Sequence, residues 1–477
     1  MNMLNAIVIP IYLIIITITI IYNGRKAKTF KDYALAGGNL PWPVICGTII
    51  ATSIGGGSMM GYVGSFYQYG AMYFWMVLGS LASQLILIFF LSERIKRLNI
   101  FTIADIFEMR YGKGAQLISG VINLFVGVAV GIAMLSSLIS LLSNYVGISE
   151  NMAGVIGVIL LSLTVTMGGL AGAAITDTIQ SIVIIGGALT VAVTSFLKAG
   201  GIQGLSQLPE HLTRMDARNI PPMLFWGMVA SAFFVNFADQ AAMFQRINAA
   251  RSPKEAKKAL FVSSIFVAAC MGLVMIMGLS AKILLGGGIA ENQVITELLK
   301  RMNPVVGVLY ASAIIAAVIT TANAMYLSAS MTFSRDLVKQ FIPGLPDRTM
   351  ILTSRVFVWV TAALSFIIVR YQPSIMKWIL IGYASVTCLV LPLYGGLITK
   401  KATPASGKWS LALSITGVLC WEMLGSPWDI NSVFVALLLG TVGFVLGFFD
   451  KRNVTEEQMQ LVDRFKAPSP ATRPHTP

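Results

Sequence analysis

Residues 51–58 read Ala51-Thr52-Ser53-Ile54-Gly55-Gly56-Gly57-Ser58, inside an apolar run from 43 to 69. A helix of that length crosses a hydrocarbon core of about 30 Å. Three successive glycines at its centre work against the helix, each by about 1 kcal/mol relative to alanine. Two readings follow, and both can hold. The helix unwinds there, so that freed backbone and the side chains of Ser53 and Ser58, beside Gly55, Gly56 and Gly57, line a solute cavity. Or the glycines form a small-residue packing face, with Gly57 and Gly61 as a GxxxG pair.

Outward from this stretch the chain keeps the same character. Of its 477 residues, 56% are hydrophobic and 11% charged, too little polar surface for a soluble domain. Apolar runs recur at 4–22, 43–69, 71–92, 116–145, 153–171, 174–198, 223–245, 259–284, 304–334, 350–369, 374–399, 408–425 and 431–449. They predict an all-α membrane protein of about 13 spans. The first run lacks a basic leader and a cleavage site, so it reads as a retained span. The segment after Asn453 carries prolines and charges and is expected to lack fixed structure.

The net charge of +14 is arranged by loop. With the N-terminus outside, 25 of the 34 Lys and Arg residues fall in inward loops and the tail. Eight fall on the outward side and Arg355 lies within a span. That bias predicts N-out, C-in insertion in the plasma membrane. No basic patch interleaved with aromatics sits on a soluble segment, so nucleic acid is not an expected partner; the lipid bilayer is. The four cysteines lie in apolar runs without CxxC spacing, and there are only two histidines. Neither a zinc site nor a disulfide framework is expected. Without a GxxxxGK[ST] stretch, ATP is not the energy source. No catalytic constellation stands out, so an enzyme is not expected.

Three further polar groupings interrupt the spans. Ala317, Thr320 and Thr321 share one helix face at i, i+3 and i+4. Two hydroxyls with backbone carbonyls make a neutral oxygen cage for a hard cation, although threonines in membrane helices also bond back to the preceding turn. Asp177, in Thr176-Asp177-Thr178-Ile179-Gln180, is either a functional carboxylate or a helix N-cap. Asn236, Asp239 and Gln240 form a cluster that either lines a pocket or joins helices by hydrogen bonds.

At this point a resemblance emerges. Thr166-Met167-Gly168-Gly169-Leu170 through Thr176-Asp177-Thr178-Ile179-Gln180 is similar to the GGL…TDxxQ signature of the sodium:solute symporter family. Gln245-Arg246, Ala249-Ala250-Arg251-Ser252 and Glu255-Ala256 resemble its QR…AA.S…EA signature. Ala316-Ala317 with Thr320-Thr321 resembles its sodium-site helix, and Thr102-Ile103 with Arg110-Tyr111-Gly112 also matches. The likeness runs over roughly residues 5–450.

The resemblance implies a leucine-transporter-like fold of two inverted five-helix repeats plus peripheral helices. The divisions are 1–40, a peripheral span and loop; 41–200 and 201–400, the repeats; 401–450, two peripheral spans; and 451–477, a tail. It implies Na+ held by the carbonyls of Ala51, Ile54 and Ala317 and the hydroxyls of Thr320 and Thr321. Some members place a second sodium at the aspartate that Asp177 matches, with serines where this chain has Asn323 and Ala324. The glycine triplet is also similar to that of the choline-transporter branch. The implied function is sodium-coupled import of a small organic solute by alternating access. An uncoupled facilitator or channel, a proton-coupled symporter and a membrane sensor are the competing expectations; a flux that ignores sodium would mark the first.

Overall fold

A computed structural model describes residues 3–24, 29–216, 221–450 and 454–467, without the side chains of 3–6, 21, 23, 24, 171 and 240. Every predicted span falls on helix. The elements are α1 (Met3–Gly24), α2 (Trp42–Ser53), α3 (Val63–Tyr69), α4 (Phe74–Ile86), α5 (Lys113–Leu141), α6 (Glu150–Leu170) and α7 (Gly172–Lys198). They continue as α8 (Pro222–Ala238), α9 (Gln245–Ala249), α10 (Pro253–Leu285), α11 (Pro304–Met331), α12 (Asp347–Tyr371), α13 (Ile375–Ile398), α14 (Pro404–Met423) and α15 (Ser432–Leu446). A last helix, α16, covers Glu456–Lys466. Among the described residues, nine continuous helical stretches are long and apolar enough to span a membrane, ten if the bent α8–α9 pair is one span. The count falls below 13 partly because the apolar parts described for α1 (Ile7–Ile20) and α2 (Trp42–Ser53) are too short to span, and because Gly57–Arg97 is taken as one stretch.

That stretch reverses direction. Gly38, before α2, and Lys96, after α4, both lie against the Asn248 carbonyl; Lys96 Nζ donates to it at 2.7 Å. Gly70, between α3 and α4, packs instead on Leu212. The molecule therefore has a basic end, near Leu40, Lys96 and Asn248, and a far end near Gly70. Gly70 makes the turn at φ +73°, a conformation only glycine adopts cheaply. Gly169 (φ +54°) does the same between α6 and α7 and packs on Tyr33.

The core centres on α11, whose residues from Tyr310 to Met331 are all buried. It packs on α5, on α6–α7 and on α2. Side chains at the lipid-facing positions of α12 and α15 are apolar and exposed, such as Ile367 and Leu438, as a bilayer requires.

One expectation is overturned. The segment 456–466, read as lacking fixed structure, is an amphipathic helix. A capping box between Thr455 and Gln458 starts it. Leu461, Val462 and Phe465 are buried on one side. Arg94 lies over the Phe465 ring at 5.7 Å, and Lys400 donates to Asp463 at 2.9 Å. The local charge masked a short apolar stripe.

Candidate functional site

The helix through the glycine run does break, but over less chain than the triplet spans. Ile54 (φ −100°, ψ 74°) ends α2, and Gly56 is already helical (φ −55°, ψ −33°). Only Ile54 and Gly55 leave the helix. Gly56 and Gly57 are packing positions: a Cβ there would lie 2.6 Å from Val318 and 2.1 Å from Ile379. Unwinding thus applies to Ile54 and Gly55 and packing to Gly56 and Gly57, although Gly57 also borders the cavity. Gly55 serves both, since its Cβ would sit 2.5 Å from Thr321 Oγ1.

That approach brings α11 onto the break. Thr320 Oγ1 lies 2.6 Å from the Ala51 carbonyl and 3.1 Å from that of Ala317. Thr321 Oγ1 donates to the Thr52 carbonyl at 2.9 Å. Ala51, Ala317 and Thr320 therefore meet as the family likeness implies. Thr321 bonds Thr52, while Ile54, the remaining implied carbonyl, is the residue at the break itself. The donor set is two hydroxyls and backbone carbonyls, with no amine or carboxylate, which suits a monovalent hard cation.

The second break is in α8. Asp239 (φ −70°, ψ 102°) ends it, and the chain resumes at a 42° bend as a wide helical turn leading into α9. Asp239 Oδ1 accepts from the Ala242 amide at 2.8 Å, so the carboxylate caps the second half-helix. Asn236 donates to Ser80 O, Ser80 Oγ and Ser83 Oγ at 2.9, 3.0 and 2.8 Å.

Between the breaks is a cavity of about 110 Å³. Ser53, Gly55, Gly57, Ser58, Asn236 and Asp239 line it. Gly56 does not; it faces Ser137 and Val318. The side chain of Gln240 lies outside the described residues. The sequence reading missed Tyr62, Ser80, Gln84 and Tyr383, which complete the wall with Met76 and Met271. Ser80, Ser83 and Gln84, polar residues in an apolar span, were the available signal. Gln84 Nε2 is buried without a hydrogen-bond partner among the described residues.

Asp177 is not a helix cap. It lies more than a turn inside α7 and is 1% exposed. Its Oδ2 accepts from Thr48 Oγ1 at 2.8 Å. Arg246, also 1% exposed, donates to that same Thr48 hydroxyl at 3.3 Å and to Thr52 Oγ1 at 3.0 Å. Its other nitrogen donates to Gln245 Oε1 at 2.8 Å and to the Ala241 carbonyl. Asn323, where a second-site serine would stand, instead accepts from Thr164 at 2.8 Å.

Two broken membrane helices facing one cavity, with a hydroxyl ledge beside it, define a secondary transporter. The family model for the sodium:solute symporter family matches residues 33–404. A sodium/glucose cotransporter of Vibrio parahaemolyticus is 26% identical over 444 residues, covering 83% of this chain and 76% of that protein. A sodium/pantothenate symporter of Escherichia coli (strain K12) is 23% identical, covering 91% and 94%. The structure of a substrate-bound, outward-open Na+-coupled sialic acid symporter superposes with a TM-score of 0.82 at 18% identity, covering 94% of this chain and 96% of that one. The chain belongs to the sodium:solute symporter family. It has the leucine-transporter-like fold, and it is a multi-pass membrane symporter that couples a small organic solute to Na+.

Proposed function

We propose that the cavity between the two breaks holds the solute and that Ala51, Ile54, Ala317, Thr320 and Thr321 hold the coupling sodium. One observation carries this reading. Thr321 both lines the cavity and bonds the Thr52 carbonyl, two residues before the break at Ile54. An ion drawing the Thr320 and Thr321 oxygens to the α2 carbonyls fixes the geometry of Ser53 and Gly55, which are cavity wall. Ion and solute thereby favour the same conformation, and each raises the other's affinity.

The chain sits in the plasma membrane with its N-terminus outside and the basic end of the molecule cytoplasmic, as the Lys and Arg distribution supports. Residues 41–200 and 201–400 are the two inverted repeats, each opening on its broken helix. The solute is small and polar, because hydroxyls, amides and the one carboxylate of Asp239 are spaced among methionines and tyrosines. The relatives named for glucose and pantothenate agree with that class. Proton coupling is disfavoured because the Thr320–Thr321 ledge carries no titratable group. The test is concentrative uptake into vesicles at fixed pH, with sodium replaced by potassium. Uptake should cease; full uptake driven by a pH gradient alone would overturn the reading.

A further inference from the structure

The loop after α10 carries a carboxylate that the transport site does not use. Glu291 stands at the far end of the molecule, where Ser65 Oγ donates to its Oε1. The loop is seated there by Gly64, whose Cβ would lie 2.2 Å from the Glu291 carbonyl oxygen. Only a glycine admits that contact. No Lys or Arg forms an ion pair with Glu291 among the described residues, although Lys377 lines the same cavity. Burial holds its carboxyl above the ordinary glutamate value, and the Ser65 hydrogen bond only partly offsets this. A partly desolvated carboxylate without a counter-charge is costly to keep.

The cavity beside it, about 340 Å³, is lined by Ser65, Tyr73, Glu291, Glu422 and Asp429. Three carboxylates face one lysine there. Glu422 is engaged by the Ser432 hydroxyl at 2.6 Å, and Asp429 is exposed. A second observation is independent of charge. Tyr73 is 2% exposed, and its hydroxyl lies beside that of Ser65, whose proton goes to Glu291, without reaching hydrogen-bond geometry to any described residue. Such a buried orphan marks a place for an absent ligand or water. Tyr73 also meets Tyr62 edge-on at 5.5 Å between ring centroids. Tyr62 lines the solute cavity and Tyr73 this outer one, so the tyrosine pair separates the two along a common path.

We propose that Glu291, with the hydroxyls of Ser65 and Tyr73, binds a sodium ion at the outer mouth of the solute pathway, separate from the Thr320–Thr321 site. The assignment to the outer side rests on the orientation given under Proposed function. A carboxylate and two hydroxyls are hard oxygen donors, as sodium requires, and a bound cation supplies the counter-charge that Glu291 lacks.

The experiment is equilibrium binding of radioactive 22Na+ to the full-length chain in nanodiscs. Wild type should bind two ions per protomer, and Glu291→Gln and Thr321→Ala one each. Glutamine keeps the size and an acceptor for Ser65 but removes the charge. If wild type binds one ion, lost in T321A and kept in E291Q, the outer site is overturned and the inner one stands. If E291Q loses an ion while T321A keeps both, the inner assignment falls and the outer stands. Should E291Q fail to fold, Tyr73→Phe carries the test. Several-fold weaker binding of one ion supports the site, and an unchanged isotherm overturns it.

Discussion

Thr321 shows how one side chain joins two sites. Its hydroxyl reaches the Thr52 carbonyl, its other atoms form cavity wall, and it needs Gly55 to lack a Cβ. Thr320→Ala or Thr321→Ala removes one oxygen and little volume. Each should raise the half-saturating sodium concentration by about 10- to 100-fold, the worth of a hydrogen bond to a charged group, with expression retained. Uptake measured against sodium concentration checks this; wild-type curves in both would place the ion elsewhere. Gly55→Ala removes no oxygen, yet its methyl would displace Thr321. It should weaken the sodium response as much as T321A, and a normal response would show that the break tolerates the crowding. The threonine pair was legible in the sequence because i, i+3 and i+4 share a face whatever surrounds the helix. Tyr62 and Tyr383 were not, because what brings them together is packing between spans far apart in sequence.

At the scale of elements, the two broken helices end differently. α2 breaks where Gly55 makes room for α11, and α8 breaks at a carboxylate that caps the next half-helix. The glycine run announced the first break but not its length, because local propensity cannot distinguish an unwound glycine from one on which Val318 or Ile379 packs. Asp239→Asn separates the roles of the second. Asparagine caps about as well as aspartate, so the thermal midpoint should hold within a few degrees while solute affinity drops. An unchanged affinity would leave Asp239 a structural cap alone. The helix α16 was hidden by composition, although Thr455-Glu456-Glu457-Gln458 is itself a capping-box sequence. Phe465 is its anchor, 1% exposed. Phe465→Ala should undock it at a local cost of about 3–5 kcal/mol, seen as faster hydrogen exchange over 456–466. Exchange at the wild-type rate would mean that Leu461, Val462 and the Lys400–Asp463 contact hold the helix without it.

On the scale of the molecule, alternating access requires the two breaks to respond together, and Arg246 is placed to make them do so. One of its nitrogens holds Thr48 and Thr52 of α2; the other holds Ala241 beside the second break. Through the Thr48 hydroxyl it reaches Asp177 of α7. The chain of contacts then runs from Thr52 to Thr321 and the sodium ledge. Removing the cation alone, in Arg246→Gln, leaves the buried carboxylates of Asp177 and Asp239 without the positive charge near them and should lower the thermal midpoint. Removing only the carboxylate, in Asp177→Asn, keeps an acceptor for Thr48. That variant should slow uptake while sodium-dependent solute binding persists, because the Thr320–Thr321 ledge is intact. The double variant discriminates between linkage and coincidence. If Asp177 and Arg246 act as one charged unit, the combined loss is smaller than the sum of the single losses by about 0.5–3 kcal/mol. Thermal midpoints, sodium-dependent binding and uptake, measured on the same four preparations, give that difference. Strict additivity would show that Asp177 and Arg246 serve separate purposes. Loss of all sodium-dependent binding in D177N would move the main ion away from the threonine pair.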